Sequence, residues 1–131
     1  MPWYSKLMED LHLTVYCQYQ NNPIINNIKF FLRPFLPDEI KSVSLVYRSK
    51  DDEFLYKTLR MNAEVLKDSI PNYHITVYEA PAGKIIVFYF LVTLLDGTDQ
   101  IVDHLGKSIE YTILKSNTTT LRMDIQARRT N

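Results

Sequence analysis

The sequence predicts an all-β sandwich, on three observations. Apolar and polar residues alternate with period two in segment after segment. The run Lys84 to Leu95 is almost wholly apolar and rich in β-branched and aromatic residues. Proline, glycine and asparagine cluster between the segments, where they punctuate turns. At 131 residues the chain fits one ordinary domain that can bury a core without metal or disulfide support. Residues 11–131 are read as that domain, preceded by an N-terminal arm or short helix over 1–10 that carries Trp3, Tyr4, Leu7 and Met8.

In order, Leu11 to Gln20 sets Leu11, Leu13, Val15, Cys17 and Tyr19 against His12, Thr14, Tyr16, Gln18 and Gln20, and Asn21-Asn22-Pro23 breaks it. Ile28, Phe30 and Leu32 alternate with Lys29, Phe31 and Arg33 until Pro34 to Pro37 ends the pattern. Ser42 to Ser49 repeats it with Val43, Leu45 and Tyr47, a charged turn follows at Lys50 to Glu53, and Phe54 to Met61 is a further strand. Asn62 to Asn72 has the one set of internal residues suited to a short helix, ended by Pro71. Tyr73, Ile75 and Val77 alternate with His74, Thr76 and Tyr78, and Ala80-Pro81-Ala82-Gly83 reads as a reversal into a hairpin with the Lys84–Leu95 strand. Asp96-Gly97 is the pair preferred by type I′ hairpins, so Gln100 to Asp103 returns antiparallel. After a turn at Gly106, Ile109 to Ile113 and Leu121 to Ile125 alternate again, which makes about nine strand candidates.

Fifteen basic and fifteen acidic residues give no net charge, so no overall field points to nucleic acid, an anionic membrane or a polyanionic substrate. The single cysteine, Cys17, has no partner for a disulfide or a paired-thiol site and reads as a small buried apolar residue. Three glycines leave no room for a phosphate-cradling loop. Acidic residues sit where an export signal would keep its apolar core, which gives a cytoplasmic expectation.

Chemistry-bearing groups are scattered. His12, His74 and His104 lie on separate segments without metal-ligand spacing and read as solvent-facing strand or turn residues. Asp99, Asp103 and His104 form the best local cluster, yet a polar hairpin return contains the same residues. Asp51, Asp52 and Glu53 read as a solvated turn, and Arg122, Arg128 and Arg129 as a solvated tail. No catalytic residue, metal or cofactor is therefore expected. The aromatic content is more informative: Tyr16, Phe31, Tyr78 and either Phe88 or Tyr89 fall opposite the expected core face, as a second layer, an interface or a ligand surface.

The succession Val43 to Arg48, a charged turn, Phe54 to Met61, Tyr73 to Val77, Ala80 to Gly83, Ile85 to Phe90 and Asp96-Gly97 resembles immunoglobulin-like β-sandwich modules. Over residues 42–106 it looks most like the non-catalytic N-terminal domains of α-amylase family enzymes of the cyclomaltodextrinase and neopullulanase type. The resemblance implies an immunoglobulin-like antiparallel β-sandwich of seven to nine strands, without enzymatic activity, that binds carbohydrate or helps subunits pair. No binding residue is carried over from it. The expected function is a binding or assembly module acting through protein association, as a homodimer or docked on a larger enzyme. An α-glucan is the alternative partner.

Overall fold

A computed structural model describes residues 11–18, 25–33, 40–51, 56–65, 71–81, 83–113 and 119–129. Among them are ten strands: β1 (Leu11–Gln18), β2 (Ile25–Arg33), β3 (Ile40–Ser49), β4 (Lys57–Arg60), β5 (Asn62–Val65), β6 (Pro71–Pro81), β7 (Ile85–Leu94), β8 (Asp99–Asp103), β9 (Ile109–Thr112) and β10 (Thr119–Arg129). All pair antiparallel. The expected arm over 1–10 lies outside the described residues.

The order β1-β2-β6-β5 makes one sheet and β4-β3-β7-β8 the other, which is the pairing scheme of an immunoglobulin-like sandwich with one extra strand beside its third. Two features depart from that scheme. β9 continues the line of β8 along β7, with β8 opposite Phe90–Thr93 and β9 opposite Ile85–Phe88. β10 joins the two sheets: Thr119 to Ile125 pair with β1, and Gln126 to Arg129 pair with β8. On the opposite side the chain also passes from sheet to sheet, because β4 pairs with β3, β5 pairs with β6, and only Met61 separates them. The Met61 amide still donates to the Val43 carbonyl at 2.9 Å, so the ladder runs up to the bend.

Alternation decides what is enclosed. Leu11, Leu13 and Val15 of β1, Ile28, Phe30 and Leu32 of β2, and Val43 and Leu45 of β3 meet Ile86, Phe88, Phe90 and Val92 of β7 in one apolar core. Phe30 and Phe88 join the sheets edge to face with ring centroids 5.0 Å apart, and Phe90 packs on Phe88 at 5.8 Å. Tyr47 and Tyr73 turn toward this interior, and burial pushes both phenols above their ordinary pKa.

Four expectations are corrected. Among the described residues the strands number ten rather than seven to nine, because β4 bends at Met61 and goes on as β5. The short helix expected over Asn62–Asn72 is corrected at both ends, where Asn62 to Val65 is strand, paired with β6 from His74 back to Pro71, and residues 66–70 lie outside the described residues. Its helix-forming residues yield to an open ladder on β6, and Pro71 is tolerated as the first residue of a strand. β6 and β7 do not form a hairpin, since the chain crosses between sheets after Pro81. Finally, Arg128 and Arg129 belong to β10, opposite Ile101 and Gln100, and not to a tail.

The β7–β8 turn also differs in type. The Gly97 amide donates to the Leu94 carbonyl at 3.0 Å and Gly97 has φ 88°, so three residues, Leu95-Asp96-Gly97, make a type I turn closed by a left-handed glycine. The Asp96 carboxylate accepts from the Thr98 hydroxyl at 2.6 Å and the Thr98 amide at 2.9 Å, which holds its pKa below the ordinary aspartate value. A two-residue turn of the primed kind lies instead at Leu105-Gly106, φ 53° and 82°, between the mutually bonded His104 and Lys107. Leucine in that conformation is strained by about 1–2 kcal/mol.

Candidate functional site

Among the described residues, both sides of the sandwich are closed by strands that pass between the sheets, and the surfaces that bear on recognition are the two sheet exteriors and a groove. On the β4-β3-β7-β8 sheet, the odd positions of β7 are in the outward phase: Ile85, Tyr89, Leu91 and Thr93 are half-buried there, and Val87 is covered. Cross-strand register sets Val46 beside Tyr89 and Ile101 beside Leu91. This exterior is therefore an apolar stripe along the central strand. Arg48 and Tyr56 cover part of it, with the guanidinium carbon 5.3 Å from the Tyr56 ring centre and the Tyr56 and Tyr89 rings 6.3 Å apart. Charged groups surround it. Lys50 Nζ is 3.0 Å from Glu110 Oε1, and Lys84 Nζ is 3.0 Å from Asp51 Oδ2.

The β1-β2-β6-β5 exterior is polar by contrast. One row reads Arg122, Thr14, Phe31, His74 and Asn62 across five strands. Phe31 lies half-buried with its ring 6.2 Å from that of His74 and inclined by 31°. Glu64 Oε2 stands 3.8 Å from His74 Nε2. Around Phe31, the residues His12, Thr14, Arg33 and Asn72 outline a depression of about 260 Å³.

These surfaces separate the aromatic residues singled out from sequence. Phe31, Tyr78 and Tyr89 lie on exteriors, Tyr78 being the most exposed at 72%. Tyr78 follows the inward Val77 on β6, so it shares the Phe31 exterior, whereas Tyr89 lies on the opposite sheet. Phe88 is corrected: it is fully enclosed between Phe30 and Phe90 and offers nothing to a ligand. Tyr16 stands opposite Lys29 and Thr120 in the ladder, and Cys17 opposite Ile28 and Thr119.

The histidines and acids do not converge. His12 and His74 are on one exterior, and His104 is exposed in the β8–β9 turn. Asp99 accepts from the Thr93 hydroxyl at 2.7 Å, and the buried Asp103 from the Gly106 amide at 3.2 Å. Among the described residues no three His, Cys, Asp or Glu side chains come together as metal ligands, and no helix is long and apolar enough to cross a membrane.

Sequence reasoning missed the groove. Where the first half of β10 leaves for β1 while β9 stays on β7, the two strands part, and a groove of about 590 Å³ opens between them. Ile109, Leu121, Met123 and Val87 are its apolar lining, with Arg48, Lys107, His104 and Glu110 at its polar margin. No residue of the alternating Leu121–Ile125 pattern signals it, because all of that pattern pairs with β1. Comparison of the chain with protein-family models, curated proteins and solved structures finds no match, so these three surfaces are what bear on function.

Proposed function

We propose that this chain is a non-catalytic assembly module that pairs with a second copy of itself through the exterior of the β4-β3-β7-β8 sheet. The observation that carries the reading is the difference along the two central strands: Ile85, Tyr89 and Leu91 are half-buried outward residues of β7, while Lys29 on β2 and His74 and Thr76 on β6 share the other exterior with Phe31 and Tyr78. An apolar centre with a ring of Arg48, Lys50, Arg60, Asp99 and Glu110 is the usual anatomy of an interface. A stripe along one central strand meets its own copy across a two-fold axis, and zero net charge sets up no long-range repulsion between copies.

Sedimentation equilibrium tests this directly. The native chain is expected to show a concentration-dependent dimer, and Leu91→Glu, which sets a carboxylate in the middle of the stripe, to weaken it at least tenfold while the protein stays folded. A native chain that stays monomeric at high concentration, or a dimer indifferent to Leu91→Glu, removes the proposal.

A second reading rests on Phe31. A half-buried ring in a shallow depression, flanked by His12, Thr14, Arg33 and Asn72, is the arrangement in which a sugar face stacks while its hydroxyls find hydrogen bonds. Affinity electrophoresis through soluble starch is expected to retard the native chain and not Phe31→Ala. Equal, unretarded migration of both eliminates glucan binding.

A further inference from the structure

We infer that the groove between β9 and β10 is a binding site for a small amphipathic carboxylate, a medium-chain fatty acid anion, with its hydrocarbon chain on Leu121, Met123 and Ile109 and its headgroup toward Arg48 and Lys107.

Charge selects the sign of the ligand. Glu110 is the acidic side chain on the margin, and its carboxylate is already taken by Lys50 Nζ at 3.0 Å. Arg48 has the opposite circumstance. Its Nη1 donates to the carbonyls of Ser49 and Lys50, at 3.3 and 3.2 Å, its guanidinium lies over Tyr56, and among the described residues its buried Nε has no hydrogen-bond partner. A buried guanidinium N–H without an acceptor is uncommon and expensive, and an oxygen anion supplies what it lacks. Lys107, exposed in the adjacent turn, adds a second positive charge that no acidic side chain among the described residues neutralises.

Shape selects the rest. Leu121 and Met123 are only partly buried although they pack against the core, because the strand that would cover them, β9, is held on β7 instead. At about 590 Å³ the groove lies within the roughly 300–1,000 Å³ of small-molecule sites and is too confined for a globular partner. Methionine and leucine give an adaptable lining suited to a flexible chain rather than to a rigid ring. The lip is also unusual: Leu105, between the lining residues His104 and Lys107, is 63% exposed and holds a left-handed conformation that leucine avoids. An exposed, strained apolar tip beside an apolar groove fits contact with an acyl chain.

Titration of the isotopically labelled native chain with sodium decanoate, followed by amide NMR, tests the assignment. Saturable shifts are expected at 104–110 and 121–123, with an affinity at least tenfold tighter than for decyltrimethylammonium, which carries the same chain and the opposite charge. Sodium acetate at equal concentration should give no saturable shift. Lys107→Gln, in a solvated turn where it does not threaten folding, should weaken decanoate severalfold, and Arg48→Gln more. Decanoate that binds no tighter than the cationic analogue, shifts that map elsewhere, an acetate response equal to that of decanoate, or an unchanged affinity in Lys107→Gln would each overturn the inference.

Discussion

Phe88→Ala is expected to lower the unfolding free energy by about 3–5 kcal/mol, read as a fall in the urea midpoint at unchanged slope. Phe88 is fully buried, and its ring is the one that touches both Phe30 of the facing sheet and Phe90 of its own strand. Truncation removes the burial of a large aromatic side chain and leaves a void between two layers of backbone whose spacing the ladders fix. The surroundings therefore cannot collapse into it. Tyr89→Ala, one residue along the same strand but on the exterior, should cost markedly less, since Tyr89 is partly exposed and its main ring neighbour is the exposed Tyr56. Comparable losses at the two positions would mean that the inward and outward phases of β7 are misassigned.

A chain ended at residue 118 is expected to lose cooperative unfolding altogether and to aggregate. β10 supplies the hydrogen-bonding partner of β1 along Leu11–Cys17 and that of β8 along Gln100–Asp103, so its removal bares two ladders at once. It also takes away Ile125, which is 2% exposed, and uncovers the inward side chains of Leu13, Val15 and Val102. Far-ultraviolet circular dichroism during urea titration, with thioflavin binding on the same samples, reads both effects. A peptide of residues 119–129 added in trans should restore part of the transition. A truncated chain that unfolds sharply at the native midpoint would show that β10 is an ornament on the sandwich rather than a part of it.

These two expectations show what was legible in the residues. Period-two alternation in Leu11–Gln18, Ile28–Leu32 and Tyr73–Val77 fixes both the strands and their inward faces, because each polar residue on the other face excludes the opposite phase. Between Ile85 and Leu94 both faces are apolar, so sequence names the strand without naming the phase, and Phe88 could not be told from Tyr89 until register with Tyr47 and Ile109 settled it. β5 was illegible for another reason: Ala63 and Glu64 favour helix locally, and only the unfilled ladder of His74 to Pro71 turns them into strand. The groove has no local signature at all. It follows from where β10 stops pairing with β1 and starts pairing with β8, which is a property of two distant partners rather than of Leu121 and Met123 themselves. The phenylalanine exterior fared better, since Phe31 sits where alternation from Phe30 and Leu32 requires.

The placement of β10 has a further consequence for how the chain is made. During synthesis the other described strands leave the ribosome before it, so the nascent chain waits with one edge of β1 and one edge of β8 unpaired until Arg129 emerges. The Leu11–Ile125 pairing then joins residues far apart in sequence, which places its formation late and makes folding slow for a domain of this size. Faster translation of the final segment, or a chaperone that shields the waiting strands, should raise the soluble yield without altering the finished molecule.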